Sequence, residues 1–417
     1  MKTNLNKFLI AIYRHLKPPL AGGVSLLLVF IVFPGLYVLL LDSSPSEKWI
    51  TFIILVGGTL FVADVMFRLC YRLYIGAPYV VSDRVPFDKI YVEPHPYLPF
   101  VFKKHFKTEK ASAATYPLHR GRYSFGQYTT NNLRFANGPG GNRDVSPVKP
   151  ESLIRINCLG ASTTGNYIEF EGKEYSYPME LEKILKAELD VPLEVNNCGV
   201  GGCNSADIFV RFALQVIDTK PDIVVIYHAY NDIQAYLTSG FESDYFHVRR
   251  NLGESYWKFR YAAKVPKIPI KFLDFMVTQW FVGDVRNSLI GEISKGEVNL
   301  DIDPSEGLQT YRRNIQHIID LCRCNGIEVI LSTYCHFLYE AIKQKPLHSL
   351  YHDIVASENE VMRSLATMNN LVLVDNARLV RQDEKYFVDS IHFTPEGMRR
   401  IAENIADAVK EILRSKK

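Results

Sequence analysis

The stretch Ile156-Asn157-Cys158-Leu159-Gly160-Ala161-Ser162-Thr163-Thr164-Gly165-Asn166 decides how the chain is read. A largely apolar run from Leu153 reads as a buried strand, and it stops in a glycine-flanked cluster of small hydroxyl residues. A strand ending in Gly160-Ala161-Ser162 presents the serine hydroxyl at the carboxyl edge of a sheet. That edge is where open α/β sheets bind ligands. Taken alone, the segment is equally a strand-to-loop turn, so its meaning depends on later segments that hold the partners of a nucleophilic serine.

From Leu153 onward strands and helices alternate. Candidate strands are Leu153–Leu159, Leu193–Asn197, Asp222–Tyr227, Glu328–Thr333 and Leu371–Val374. Helical patterns lie between them at Ser176–Leu189, Ala206–Val216, Ser305–Cys324 and His352–Met368. A last helix starts at Thr394-Pro395-Glu396, with Thr394 as N-cap and Pro395 as first helical residue. Such alternation implies an α/β fold with a mainly parallel sheet covered on both faces. One long insertion, about 233–304, interrupts it.

Upstream of this domain (151–417) lie an N-terminal segment, 1–78, and a Pro- and aromatic-rich accessory region, 79–150, expected to pack on the main domain. In the accessory region Tyr123–Phe135 alternates enough for one or two strands. The N-terminal segment has two apolar runs, about 20–41 and 49–67, the second carrying Asp64, joined by a polar connection from Asp42 to Lys48. Both are long enough to be membrane-spanning helices. Lys2, Lys7, Arg14 and Lys17 precede the first run, and Arg68 and Arg72 follow the second. By the positive-inside rule both ends, and the large domain with them, face the cytoplasm. Within the insertion, 256–281 laces Lys258, Arg260, Lys264, Lys267 and Lys271 with aromatics, the pattern of a helix lying on anionic lipid or of a solvated lid.

A serine hydroxyl needs a base, and the base needs an acid to fix its tautomer. Asp389 and His392 supply both, three residues apart, just ahead of the last helix. The oxyanion formed by attack on a carbonyl needs donors. Asn197-Cys198-Gly199-Val200-Gly201-Gly202 follows the second strand and offers backbone amides, while Asn231 follows the third and offers a side-chain amide.

In this order, the blocks around Ser162, Gly202, Asn231 and Asp389/His392 resemble the SGNH (GDSL-type) hydrolase superfamily over roughly Leu153 to Lys417, the insertion apart. The resemblance implies a flavodoxin-like three-layer αβα sandwich with a five-stranded sheet. It also implies hydrolysis or transfer of an acyl ester by a serine esterase, lipase-like enzyme or O-acyltransferase. Ser162 would be nucleophile and one oxyanion donor, Gly202 and Asn231 the other donors, His392 the base and Asp389 its orienting acid. Ala161 replaces the aspartate of the Gly-Asp-Ser-Leu form, and Ala229 stands where the third block often has glycine. Neither departure deletes a catalytic group.

Other readings compete. Gly160–Gly165 after a strand could cradle a phosphate, but Gly-x-Gly-x-x-Gly and Gly-Lys-Ser/Thr are absent there, and Asp389 and His392 would go unused. A tethered binding module that kept the fold without catalysis is a further alternative. His348 and His352 have helical i, i+4 spacing, but without His-Glu-x-x-His they read as a surface pair rather than a metal site. No metal or organic cofactor is called for. The formal charge of +3 over 417 residues argues against a nucleic-acid partner. The expected partners are an acylated small molecule, glycan or lipid as substrate, and membrane lipid. Seven scattered cysteines read as reduced thiols, which also points to the cytoplasmic face.

Overall fold

The structure, a computed structural model, describes residues 33–75, 92–93, 95–98, 100–107, 118–119, 122–125, 129–137, 143–165, 167–249 and 298–415, with 270 and 273. The chain divides into two units, Met1–Phe87 with Trp257–Val285, and Asp88–Tyr256 with Arg286–Lys417.

In the first unit a short helix, Phe33–Leu39, precedes a long one, Pro45–Ile75. The long helix starts early because Ser44 and Glu47 form a capping box: the Ser44 amide donates to Glu47 Oε2 at 2.8 Å and Ser44 Oγ accepts the Glu47 amide at 3.4 Å. The polar connection expected at Asp42–Lys48 is therefore already helical from Pro45. Among the described residues one helix is long and apolar enough to cross a membrane, Pro45–Leu69. The second expected span, about 49–67, lies within this helix; most of the first, 20–41, lies outside the described residues. Asp64, the acidic residue of the second, forms an i, i+4 ion pair with Arg68 on the same helix.

The second unit begins with a small antiparallel pair, β1 (Val92–Glu93) and β2 (Val101–Phe102). Strand β3 (Ser124–Phe125) precedes β4 (Ile154–Gly160) and pairs with β5 (Ile168–Phe170), which pairs with β6 (Lys173–Tyr175). Next come β7 (Leu193–Asn197), β8 (Ile223–Tyr227), β9 (Glu328–Ser332) and β10 (Val372–Val374). The main sheet has five parallel strands in the order β10-β9-β8-β4-β7. Strand β8 is buried at every position, as a parallel strand covered on both faces must be. Helices Tyr177–Glu188 and Pro395–Ser415 pack on each other, as do Ser205–Arg211, Ser305–Cys324 and Pro346–Asn369. These two groups flank the sheet. The chain leaves β4 towards β7 on one side and later returns to place β8 on the other, so a crevice opens at the carboxyl ends of β4 and β8.

Among the described residues of Tyr123–Phe135, strand is confined to Ser124–Phe125 and a bridge at Thr129, and the end of the stretch is a turn. Asn131 Oδ1 accepts the amides of Leu133 and Phe135, both at 2.9 Å, and folds 131–135 into a side-chain-capped turn. The accessory region packs on the main sheet through asparagines. Asn137 Nδ2 donates to Asn196 Oδ1 at 2.7 Å and Asn137 Oδ1 accepts the Asn197 amide at 2.9 Å, while Asn196 Nδ2 donates to Asn157 Oδ1 at 2.8 Å. The stretch expected to open the insertion, from Ile233, belongs instead to the core. Ile233, Tyr236, Leu237 and Tyr245 are buried, and Asn299 N–H donates to Leu237 O at 2.8 Å. Apart from residues 270 and 273, the segment 256–281 lies outside the described residues.

Candidate active site

Strand β4 stops at Gly160, and Ser162 is the first residue of a four-residue helix, Ser162–Gly165. That helical turn lies hard against the loop after β7: a Cβ on Gly199 would sit 2.4 Å from Gly165 N. The glycines thus serve backbone-to-backbone packing, which leaves the phosphate-cradle reading without a use for them. Gly202 is glycine for a different reason, since its φ of +79° favours a residue without Cβ, and that position opens onto free space.

His392 and Asp389 sit on the loop before helix Pro395–Ser415. The loop is closed by an isolated bridge between Phe387 and Phe393 and by Val388 N–H donating to His392 O at 2.9 Å. It is braced from outside: Phe337 N–H donates to Ser390 O at 2.8 Å, and His119 Nε2 donates to Glu384 O at 2.9 Å and Phe387 O at 3.0 Å. Asp389 Oδ1 accepts the amides of Ile391 (2.8 Å) and His392 (2.7 Å). Its Oδ2 lies 2.8 Å from His392 Nδ1, and His392 Nε2 lies 3.0 Å from Ser162 Oγ. Burial alone would raise the Asp389 pKa, but the His392 charge and the bonds from His392 and Ile391 outweigh it and hold the carboxyl below its ordinary value. An ionised Asp389 takes the proton on Nδ1, which leaves the Nε2 lone pair to accept from the serine hydroxyl.

The other expected donors stand on neighbouring loops. Asn231 Nδ2 donates to Cys203 O at 3.0 Å, tying its loop to that of Gly202; the amide has a second hydrogen for a substrate oxygen. A deeper network that sequence reading missed strengthens the tie. Asp232 is fully buried and accepts from Ser205 N (2.9 Å), Ser205 Oγ (2.5 Å), Tyr245 Oη (2.7 Å) and His228 Nε2 (2.7 Å). Burial raises its pKa, yet His228, Ser205 and Tyr245 outweigh burial, so the group is held low. The available signal was the pair His228…Asp232 at i, i+4 spacing beside Asn231.

His352 is not a simple surface residue. Its Nδ1 lies 2.9 Å from Nδ1 of buried His336, and burial, then the His352 and His348 charges, push His336 down to about 3. Among the described residues no cluster of three or more His, Cys, Asp or Glu could hold a metal ion.

A family model described as GDSL-like Lipase/Acylhydrolase matches residues 158–400, more than half of the chain. Solved structures similar to this chain include an acylhydrolase from Bacteroides fragilis described as putative (22% identity, 64% of this chain and 91% of that one, TM-score 0.35). An acetyl xylan esterase from Geobacillus stearothermophilus is another (15% identity, 63% of this chain and 97% of that one, TM-score 0.38). No curated protein matches.

Proposed function

Since the chain belongs to the GDSL-like lipase/acylhydrolase family and is an ester-bond hydrolase, we propose that Ser162, His392 and Asp389 are its catalytic triad. The observation that carries this reading is the continuous line of bonds Ser162 Oγ–His392 Nε2 and His392 Nδ1–Asp389 Oδ2, at 3.0 and 2.8 Å. Ser162 attacks the acyl carbonyl while His392 Nε2 takes its proton. The Ser162 amide, the Gly202 amide and Asn231 Nδ2 receive the developing oxyanion. His392 returns the proton to the departing alcohol. Water, activated by the same imidazole, then releases the acid.

The helix Pro45–Ile75 is the anchor in this reading. At ~1.5 Å per residue its apolar part spans more than a hydrocarbon core of ~30 Å. Ile53, Ile54 and Phe61 are exposed on it, a costly display in water and a favourable one in lipid. The substrate is an acyl ester on a small molecule, glycan or lipid within reach of the membrane, and the domain faces the cytoplasm. The test is p-nitrophenyl acetate hydrolysis by full-length, detergent-solubilised protein beside Ser162→Ala. Loss of activity in a folded variant is expected; equal rates would refute the assignment.

A further inference from the structure

The residue before Asn231 has a conformation that its side chain disfavours. Tyr230 has φ of +75°, a left-handed value uncommon outside glycine, and Asn231 N–H donates to Ala229 O at 2.9 Å. A bond from residue i+2 back to residue i across a centre with positive φ is the rare, strained form of γ-turn. Such strain costs on the order of 1–3 kcal/mol and persists only where surrounding structure holds it.

What holds it here is a buried acid from a distant helix. Glu358, on Pro346–Asn369, is fully buried; its Oε2 accepts the Tyr230 amide at 2.9 Å and its Oε1 accepts the Tyr236 hydroxyl at 3.0 Å. Burial of a carboxyl in such a place is costly, and burial together with the Asp232 charge raises Glu358 to about 8. Both oxygens are committed to donors in the Tyr230–Tyr236 segment. The next residue on the helix, Asn359, brackets Tyr334 through that residue's N–H (2.6 Å) and C=O (2.9 Å). The Tyr230 ring is wedged between Tyr351, from the same helix, and His336, with centroids 5.2 and 5.6 Å away.

We propose that Glu358 is a positioning residue for the oxyanion hole: it holds Tyr230 in the strained turn that sets the direction of the Asn231 side chain. The proposal rests on the assignment of Asn231 as an oxyanion donor. Glu358 touches no substrate; it acts through the Tyr230 amide. A purely structural acid would affect stability without favouring the transition state over the ground state.

The experiment measures kcat and KM for p-nitrophenyl acetate with the full-length protein. Glu358→Leu, Glu358→Asp and Glu358→Gln are compared with Ser162→Ala, Asn231→Ala and the double variant Asn231→Ala/Glu358→Leu. Leucine removes both acceptors, and kcat is expected to fall about 10-fold with KM little changed, less than the ~10²–10³ expected from losing a donor outright. Glutamine keeps the acceptor for the Tyr230 amide, the bond through which Glu358 acts, and changes only the Tyr236 contact, so kcat should stay within about threefold of wild type. Aspartate, shorter by one methylene, repeats the kcat loss and carries the test if the leucine variant does not fold. In the double variant the Glu358 effect should vanish, because the donor it aims is gone. Wild-type kcat in Glu358→Leu or Glu358→Asp overturns the proposal, and so do losses that multiply in the double variant. Full activity in Ser162→Ala or Asn231→Ala instead overturns the functional reading beneath it.

Discussion

Asp389→Asn isolates one feature of the proposed triad, the tautomer of His392. Asparagine has the shape of aspartate, and its oxygen can keep the amides of Ile391 and His392 that now bond Asp389 Oδ1 at 2.8 and 2.7 Å. Its NH₂ then faces His392 Nδ1, where a carboxylate oxygen stood at 2.8 Å. A donor facing Nδ1 forces that nitrogen to accept, so the ring proton moves to Nε2. At 3.0 Å from Ser162 Oγ, Nε2 then donates where catalysis needs it to accept. The expected loss is ~10³–10⁴ in kcat, about 4–5.5 kcal/mol of transition-state stabilisation. The assay is the initial rate on p-nitrophenyl acetate at neutral pH, with thermal denaturation run in parallel. Asp389 is held below its ordinary pKa. Its stabilising contribution is therefore present above the unfolded value and lost as pH falls through the folded one, so any gap in melting temperature should narrow in acid. A folded Asn variant within tenfold of wild type would refute the tautomer argument.

Glu358 runs with the opposite sign. Its folded pKa is raised to about 8, so the folded state holds the proton more tightly and stability declines as pH rises from the unfolded value, about 4.3, towards 8. Denaturation across that range should show Glu358→Gln gaining on wild type as pH rises, and parallel curves would count against the raised value. Gly199→Ala places a Cβ 2.4 Å from Gly165 N, backbone against backbone, and should cost about 1–3 kcal/mol in denaturant unfolding together with most of the activity. Gly202→Ala meets no neighbour but keeps φ at +79°, so it should fold with a penalty of about 1 kcal/mol, read from the same unfolding curve. For membrane orientation, Cys324 is exposed while Cys158, Cys198, Cys203, Cys322 and Cys335 are buried. In a Cys70→Ser background, a bulky maleimide should label Cys324 only after the cells are permeabilised; labelling in intact cells would put the domain on the outer face.

The strands were legible because a buried parallel strand is a continuous apolar run: Leu193–Asn197 was read to the residue, and β4, β8, β9 and β10 within one at either end. Ser162, Asp389 and His392 stand out in the sequence because each follows a strand or precedes a helix at the same edge. Positions controlled by distant side chains were not legible. The Asn131 turn confined the strand expected within Tyr123–Phe135 to its first part, and Ser44 with Glu47 carried a helix back into a polar connection. Glu358 gave no signal at all, since its partners lie 122 and 128 residues away and only the folded chain brings them together.

Ser162 and His392 are separated by 230 residues, the first at the end of β4 and the second just before the final helix. During synthesis the proposed nucleophile therefore leaves the ribosome long before its proposed base exists. Until Pro395–Ser415 has docked beside Tyr177–Glu188, a nascent chain carries an unactivated serine and cannot attack the esters around it. On the proposed triad, turnover reports that the last helix has been made and seated, and a chain cut short before residue 389 is expected to be inert however well its sheet has formed.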